Sequence, residues 1–313
     1  MAITKIPAAG FTGNNFRNIF INGDMSIAQR GTTSSSTGYQ TVDRWQLNTG
    51  TQQEQKTDTP NARFSNSFEV TGTTAGSSGY GICSQRIESK NVLPVLGQTC
   101  TLSAYVKNTG TSTVNVSVEV YRANSTDNFS GLTLLTSLTG QAITTSWNRI
   151  TFPSFTVTDA CATGLEVRIF RYDASNDQEW LLTGVQLEAG TTASDFEFLP
   201  YDVNKTRCKR YFQKTMVAYM IGGWTGLHWS GSAHIGQFPI ETELRTNATV
   251  AYGSTFAVLG GGGVSSGYTV SGGTQTSYGM VTLTLSGTQR ASSETLTFYS
   301  DDSNTFISFD AEL

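Results

Sequence analysis

Charge is scarce in this sequence, since Asp, Glu, Lys and Arg make up only 14% of its 313 residues, against about 25% in an ordinary globular protein. The 20 basic and 24 acidic side chains give a formal net charge of -4, and neither half of the chain is strongly of one sign. A protein that holds nucleic acid by its phosphates needs a basic surface. The composition therefore argues against nucleic acid as a partner.

Long apolar runs are also missing. No stretch approaches the roughly 18 apolar residues of a membrane-spanning helix. The opening residues, 1–13, carry one lysine but no apolar region of the signal-peptide kind behind it. The sequence thus predicts no membrane partner and synthesis in the cytoplasm.

Cysteine and histidine are too few, and too widely spaced, for the common metal and nucleophile sites. Two histidines, His228 and His234, are present, and neither lies in a zinc-protease motif. The cysteines show no C-x-x-C pair, so we expect reduced thiols packed in the core. The four are Cys83, Cys100, Cys161 and Cys208. A pair of carboxylates for glycoside hydrolysis stays open, but nothing marks one pair, and we expect no enzymatic activity.

Threonine, glycine and phenylalanine are abundant, with 47, 32 and 17 copies, which is typical of β-rich proteins. The clearest strand lies within residues 113–122, where four valines at every second position define one apolar face. Residues 100–106 repeat this pattern upstream, and a polar, glycine-containing tract separates the two. The pattern predicts a β-hairpin of these two strands.

Further alternating segments fill residues 17–201 without intervening helices. Each such strand offers one apolar face, which two packed sheets can bury together. We therefore predict an all-β antiparallel jelly-roll sandwich. Its other expected strands are residues 63–70, 80–87, 147–152, 164–172 and 180–188.

The rest of the chain divides into an arm, a helix and a second domain. Residues 1–16 are polar and aperiodic and indicate an N-terminal attachment arm. Residues 202–214 are predicted to form a linking helix, with Asp202 as its N-cap and Val203 to Lys214 as its body. Residues 215–313 alternate again and predict a second β-sandwich for oligomerisation or receptor binding, because sheets so poor in charge need their edges covered.

Aromatic side chains with polar neighbours are the most informative functional signal. Sugar rings present flat C–H faces that stack on Trp and Tyr, while polar side chains beside them bind hydroxyls. Trp45 and Trp180 lie in apolar contexts and are expected in the core. The candidate glycan-binding residues are Tyr39 and Tyr121 in the first domain and Tyr219, Trp224, His228 and Trp229 in the second.

Several motifs, in a fixed order, resemble a domain of bacteriophage and prophage virion proteins, chiefly tail fibres. The matching pieces together bracket residues 18–213. A looser similarity links the C-terminal domain to the last domain of phage fibre proteins. The pieces are residues 18–31, 41–45, 180–190, 195–201 and 207–212, and, in the C-terminal domain, 238–250 and 309–313.

The resemblance implies a fold, a metal and partners. The virion domain is similar to the jelly roll of family 4 and 9 carbohydrate-binding modules, in which a structural calcium often lies by the first and last strands. Asp24 and Glu188 match those positions, although the residues themselves favour a surface salt contact or a solvated carboxylate as the explanation for each. The resemblance also implies a homotrimer in the virion that contacts tail, baseplate or capsid proteins through residues 1–16 and host surface polysaccharide.

Three functions stay open on the sequence alone. The first is a tail fibre or receptor-binding protein that attaches to host polysaccharide. The second is a capsid decoration or head-fibre protein without glycan binding, which the short N-terminal arm favours. The third is a polysaccharide depolymerase.

Overall fold

The protein, seen in a computed structural model, divides into two compact units, residues 1–200 with Leu313 and residues 201–312. The expected N-terminal arm lies outside the described residues, apart from Phe16. The structure describes residues 16–72, 79–110, 113–173, 179–216, 224–230, 233–253, 256–260, 263–276, 280–286, 295–299 and 306–313.

The first unit is a sandwich of two antiparallel sheets of the jelly-roll type, as predicted. One sheet has seven strands, β1 (Thr33–Ser34), β3 (Gln52–Lys56), β4 (Ser67–Thr71), β6 (Thr99–Asn108), β9 (Asn148–Thr151), β10 (Phe155–Thr156) and β12 (Glu179–Ala189). The other has five, β2 (Gln46–Thr49), β5 (Gly79–Ile87), β7 (Val114–Ser125), β8 (Asn128–Ile143) and β11 (Leu165–Asp173).

The order of strands places long-range partners side by side. The five-stranded sheet runs β2-β5-β11-β7-β8, and the seven-stranded sheet runs β1-β3-β4-β12-β6-β10 with β9 also paired to β6. Side chains at alternate positions of each strand point between the sheets. Val116, Val118 and Val120 of β7 are fully buried in this core, together with Trp45 and Trp180.

The predicted hairpin of β6 and β7 is wrong. Strand β6 pairs with β9, β10 and β12, whereas β7 pairs with β8 and β11, so the two consecutive strands lie in opposite sheets. Alternation shows only that a strand has one apolar face. Here the apolar faces of β6 and β7 both point into the core of the sandwich, and the chain crosses from one sheet to the other between them.

The four cysteines are buried and none is joined in a disulfide, as expected from their apolar surroundings. Burial raises the pKa of the Cys100 thiol to about 12 and that of Cys83 further. A thiol with so high a pKa is not ionised near neutral pH and does not react readily.

Helices are few among the described residues. They are α1 (Ser89–Val92), α2 (Tyr201–Lys209) and two short 3-10 helices, Leu93–Val95 and Asp159–Thr163. The predicted helical body, Val203 to Lys214, is partly wrong. Asp202 lies in the first turn of α2, the helix ends at Lys209, and Phe212–Met216 forms strand β13. Residues Tyr211 and Phe212 are buried, and pairing of β13 with the last strand outweighs continuation of the helix.

The second unit contains α2, a three-stranded sheet and a closed six-stranded barrel, where a second sandwich was expected. The sheet has the order β13-β21-β16, with β16 (Thr249–Tyr252) and β21 (Phe306–Asp310). The barrel closes in the order β14-β15-β19-β18-β17-β20. Its strands are β14 (Trp224–Ser230), β15 (Ala233–Pro239), β17 (Phe256–Gly260), β18 (Gly263–Thr276), β19 (Met280–Ser286) and β20 (Thr295–Tyr299). A closed barrel leaves no free sheet edge. Its strands therefore do not need charged side chains to protect an edge.

No helix within the described part of the chain is both long and apolar enough to cross a membrane.

Candidate functional site

The two outer faces of the first unit differ in how far they are covered. On the seven-stranded sheet, the Phe64 ring lies 5.3 Å from Tyr105, 5.4 Å from Phe196 and 4.8 Å from Phe198, all measured between ring centroids. These rings close over Tyr105 from two loops. On the five-stranded sheet, Leu134 of β8 is 49% exposed, and Tyr121 of β7 and Arg168 and Phe170 of β11 are half-buried. The open face of this unit is therefore the outer face of the five-stranded sheet.

Alternation and register bring a defined set of side chains to this open face. Because the valines of β7 point inward, Glu119 and Tyr121 point outward. In register, Tyr121 lies between Glu166 of β11 and Leu134 of β8, and Glu119 lies opposite Arg168. We call this set, together with Phe170, the Tyr121 platform: Glu119, Tyr121, Leu134, Glu166, Arg168 and Phe170.

A buried carboxylate holds the centre of the platform in place. Glu166 is fully buried, and its two oxygens accept hydrogen bonds from Arg86 Nε at 2.8 Å and Arg168 Nε at 2.6 Å. Arg86 Nη1 also donates to the carbonyl oxygen of Leu313. The two positive charges beside the buried carboxylate offset the free energy that its removal from water costs. Both arginine side chains, 24% and 29% exposed, are thereby fixed in orientation.

Tyr121 is held from its face and from its hydroxyl. The Arg168 guanidinium carbon lies 4.4 Å from the centroid of the Tyr121 ring, a cation–π geometry. The Tyr121 hydroxyl donates to Glu119 Oε2 at 2.6 Å. Burial, and then the hydrogen bond to Glu119, raise the pKa of Tyr121. The ring is thus a neutral, fixed aromatic surface with a carboxylate at its tip.

Tyr39 lies near the other end of the row of charged side chains formed by Arg86, Glu166 and Arg168. Backbone pairing of Gly38 with Leu47 sets Tyr39 beside strand β2. Its ring has the guanidinium groups of Arg30 and Arg44 at 5.8 and 6.0 Å from the centroid. Its buried hydroxyl has no hydrogen-bond partner among the described residues. Burial raises the pKa of Tyr39, against the opposing charges of the nearby arginines.

The structure thus brings two of the predicted glycan-binding residues, Tyr39 and Tyr121, to one sheet. By strand order they flank Arg86, Glu166 and Arg168. These three residues were not predicted from the sequence, although one signal was present. Strand β11 alternates buried Val167 and Ile169 with the charged Glu166 and Arg168, and such charges are rare in this sequence.

The other predicted glycan-binding residues lie in the second unit. Tyr219 is outside the described residues. Trp224, His228 and Trp229 lie on β14, where the backbone register pairs Trp224 with Phe298 and His228 with His234. The structure describes the backbone of these three but not their side chains, so their role stays a prediction.

The two predicted calcium residues have different described contacts. Glu188 accepts hydrogen bonds from Gln186 and from the backbone and hydroxyl of Ser194, at 2.8, 2.8 and 2.5 Å. The backbone of Asp24 lies instead by Thr183, five residues earlier on β12. Within the described ranges, no three His, Cys, Asp or Glu side chains group closely enough to hold a metal. The described contacts of Glu188 are those of a residue that holds the Ser194 segment, and calcium binding at Asp24 and Glu188 stays a prediction.

The virion-like motif at residues 18–31 has a structural role here. Asn22 is buried, accepts from Ile27 N at 3.0 Å and donates to the carbonyl oxygens of Ile27 and Asp43 at 2.9 Å. Gln85 pairs with both backbone groups of Ile21 at 2.8 Å. Amide side chains thus satisfy backbone groups of an irregular buried segment that bonds to strand β12 at Ile19 and Gly23.

No protein-family model and no curated protein sequence matches the chain. Among solved structures, it is similar to the CBM22-1 xylan-binding domain from Paenibacillus barcinonensis Xyn10C, at 14% identity over 52% of this chain and 94% of that one, with a TM-score of 0.35. The family 11 carbohydrate-binding module from Clostridium thermocellum gives 14% identity, 52% and 98% coverage and a TM-score of 0.33. The enzymatically active domain of tailspike protein 4 from bacteriophage CBA120 gives 14% identity, 55% and 21% coverage and a TM-score of 0.36.

Proposed function

We propose that this protein binds a polysaccharide through the Tyr121 platform. The observation that carries the proposal is the fixed aromatic ring of Tyr121, with an arginine on its face and carboxylates beside it. A sugar ring can lie against the exposed apolar surface of Tyr121 and Leu134 while its hydroxyls bond to Glu119 and Arg168. Such a surface needs little reordering when a ligand binds, which favours affinity.

The charge balance of the platform favours a neutral glycan. The platform carries Glu119 and Glu166 against Arg168, and the neighbouring Arg86, which bonds to Glu166, brings the formal sum over these four groups to zero. Binding of nucleic acid would require a clear basic excess. Paired Arg and Glu side chains instead offer donors and acceptors together, which is what sugar hydroxyls need.

The proposed role is binding without catalysis. Glycoside hydrolysis uses one carboxyl group to protonate the leaving oxygen and a second to attack or to activate water. On this platform, both oxygens of Glu166 are occupied by arginine, and Glu119 accepts the Tyr121 hydroxyl. These two carboxylates are therefore engaged in holding the surface together.

We propose that the protein acts in a phage virion, because the motifs that bracket residues 18–213 resemble those of phage virion proteins. We propose a tail-fibre or receptor-binding protein of a homotrimer, attached to other virion proteins through residues 1–16 and directed at host surface polysaccharide. Three copies would multiply weak sugar contacts by avidity. Deletion of residues 1–16 should keep the protein off virions while leaving its glycan binding intact.

Electrophoresis through gels that contain a polysaccharide tests the binding. The gels would hold xylan, a mixed-linked β-glucan or surface polysaccharide extracted from bacteria. We expect at least one of them to retard the protein, and Tyr121→Ala to lose about tenfold in affinity. The matched control is Tyr201→Ala, which removes a tyrosine that is 60% exposed in the second unit. Equal retardation of Tyr121→Ala and the unaltered protein, or no retardation by any polysaccharide, would overturn the proposal.

A further inference from the structure

We propose a second sugar-binding site around Trp147, on the seven-stranded sheet and therefore on the opposite face of the sandwich from the Tyr121 platform. This inference rests on the proposed glycan-binding function. Trp147 immediately precedes β9, whose first residue Asn148 pairs with Val106 of β6. The next residue of β6, Lys107, points outward because Val106 points into the core.

Two segments distant in sequence, those of Asp58 and Lys107, fix the orientation of the Trp147 indole. Its Nε1 donates to Asp58 Oδ1 at 2.8 Å, and the other oxygen of Asp58 pairs with Lys107 Nζ at 2.5 Å. Asp58 belongs to the loop after β3 and is 45% exposed. The hydrogen bond of the indole is at one edge of the ring system, its Nε1, and Lys107 acts on the ring only through Asp58, so this anchoring does not use the faces of the ring.

The exposure of Trp147 sets it apart from the other tryptophans whose side chains the structure describes. Trp45 and Trp180 are fully buried, whereas Trp147 is half-buried. A large aromatic ring kept at the surface by polar side chains is a preformed stacking surface that loses little conformational freedom on binding.

The surroundings of Trp147 indicate the class of ligand. Asp58 and Lys107 carry opposite charges and together supply acceptors and donors beside the ring. Thr144, Ser146 and Asn148 are near Trp147 in the chain, and the Thr144 hydroxyl and the Asn148 amide bond to each other and to the Ser146 carbonyl oxygen within this turn. An uncharged, hydroxyl-rich ring fits this environment better than an anion or an aliphatic chain. We therefore assign the site to a neutral sugar unit, so that one sandwich can hold two glycan chains or two stretches of one chain.

A structural role for Trp147 is the competing explanation. Leu181 of β12 points outward, pairs with Lys107 in register and is only 2% exposed. If Trp147 serves only to cover Leu181, its removal lowers the melting temperature without changing glycan affinity.

Calorimetric titration separates these explanations. The probe is a hexasaccharide cut from the polysaccharide that retards the protein most in the gels. We expect two sites on the unaltered chain, one on Trp147→Ala, one on Tyr121→Ala and none on the double variant. Trp147→Phe, which keeps a ring but loses the bond to Asp58, should retain the site with about tenfold lower affinity.

The outcomes distinguish this inference from the proposed function. A single site that Tyr121→Ala removes and Trp147→Ala leaves unchanged would overturn the second site and support the platform. A single site that only Trp147→Ala removes would support the second site and overturn the platform. The absence of any binding would overturn both. A melting curve for each variant shows whether the first unit is still folded.

Discussion

The Arg168 guanidinium lies over the Tyr121 ring, with 4.4 Å between its central carbon and the ring centroid. Arg168 cannot leave this position without losing its hydrogen bond to the buried Glu166. The stacked pair is therefore fixed by a third residue on the same strand as the arginine. This coupling makes the surface at Tyr121 rigid, and it links the stability of the sheet to the shape of the candidate site.

Loss of the Glu166 charge should destabilise the first unit. Glu166→Gln leaves Arg86 and Arg168 partly buried without their counter-charge, which we expect to cost about 3 kcal/mol of unfolding free energy. Glu119→Gln is the control, since Glu119 is half-buried and accepts a hydrogen bond from the Tyr121 hydroxyl; we expect it to cost about 1 kcal/mol. Denaturant unfolding measures both. Similar costs for the two variants would contradict a central role for Glu166.

A glycine in β12 is required by close packing on the other sheet. Gly184 has a φ of 58°, and a Cβ there would lie 2.8 Å from the Tyr105 ring and 2.9 Å from Phe64. Gly184→Ala should therefore cost about 3 kcal/mol, because strain in the backbone adds to overpacking. Gly31→Ala meets nothing within 4 Å and should change stability by less than about 0.5 kcal/mol. Thermal unfolding of the pair tests this, and equal melting temperatures would contradict it.

Acid should weaken the contacts of Asp58. Burial acts to raise the pKa of this carboxyl, but the hydrogen bonds from Lys107 and Trp147 outweigh it and lower the pKa below its ordinary value of 3.8. A lowered pKa in the folded state stabilises the fold above pH 3.8, and this stabilisation is lost as the pH falls through the folded value. Because Asp58 is 45% exposed, we expect a small effect.

The Asp58→Asn variant isolates that effect from other titrating groups. Its melting temperature should lie below that of the unaltered protein at pH 7, and the difference should shrink as the pH falls to values below 3.8. A difference that stays constant between these pH values would show that the charge of Asp58 does not stabilise the fold.

The sequence was sufficient for the class of fold and for single strands, but not for their partners. The valine alternation in residues 113–122 correctly predicted β7, because one apolar face is a local property. The predicted hairpin with residues 100–106 failed, since the same alternation suits neighbours in one sheet and strands that face each other across a core. The helix within residues 202–214 ended early for a related reason: the pairing of β13 with β21 is a long-range contact that local propensity does not contain.

The candidate site shows the same limit. Tyr39 and Tyr121 were identified by residue type and position, but Arg86 and Glu166 meet only because β5 and β11 are neighbours, 80 residues apart in sequence. The calcium assignment for Asp24 and Glu188 depended on a resemblance, and the local bonds of Glu188 with Ser194 could not be seen in the sequence. Trp147 was overlooked because its partners, Asp58 and Lys107, come from two other segments.

A nuclear magnetic resonance titration of leucine methyl groups tests the central claim most directly. The protein would carry labelled leucine methyls and be titrated with the hexasaccharide used for calorimetry. We predict a progressive shift of Leu134, which is exposed beside Tyr121, and no shift of Leu93, which is 56% exposed but lies outside the platform. A saturating titration in which Leu134 does not shift would contradict glycan binding at the Tyr121 platform.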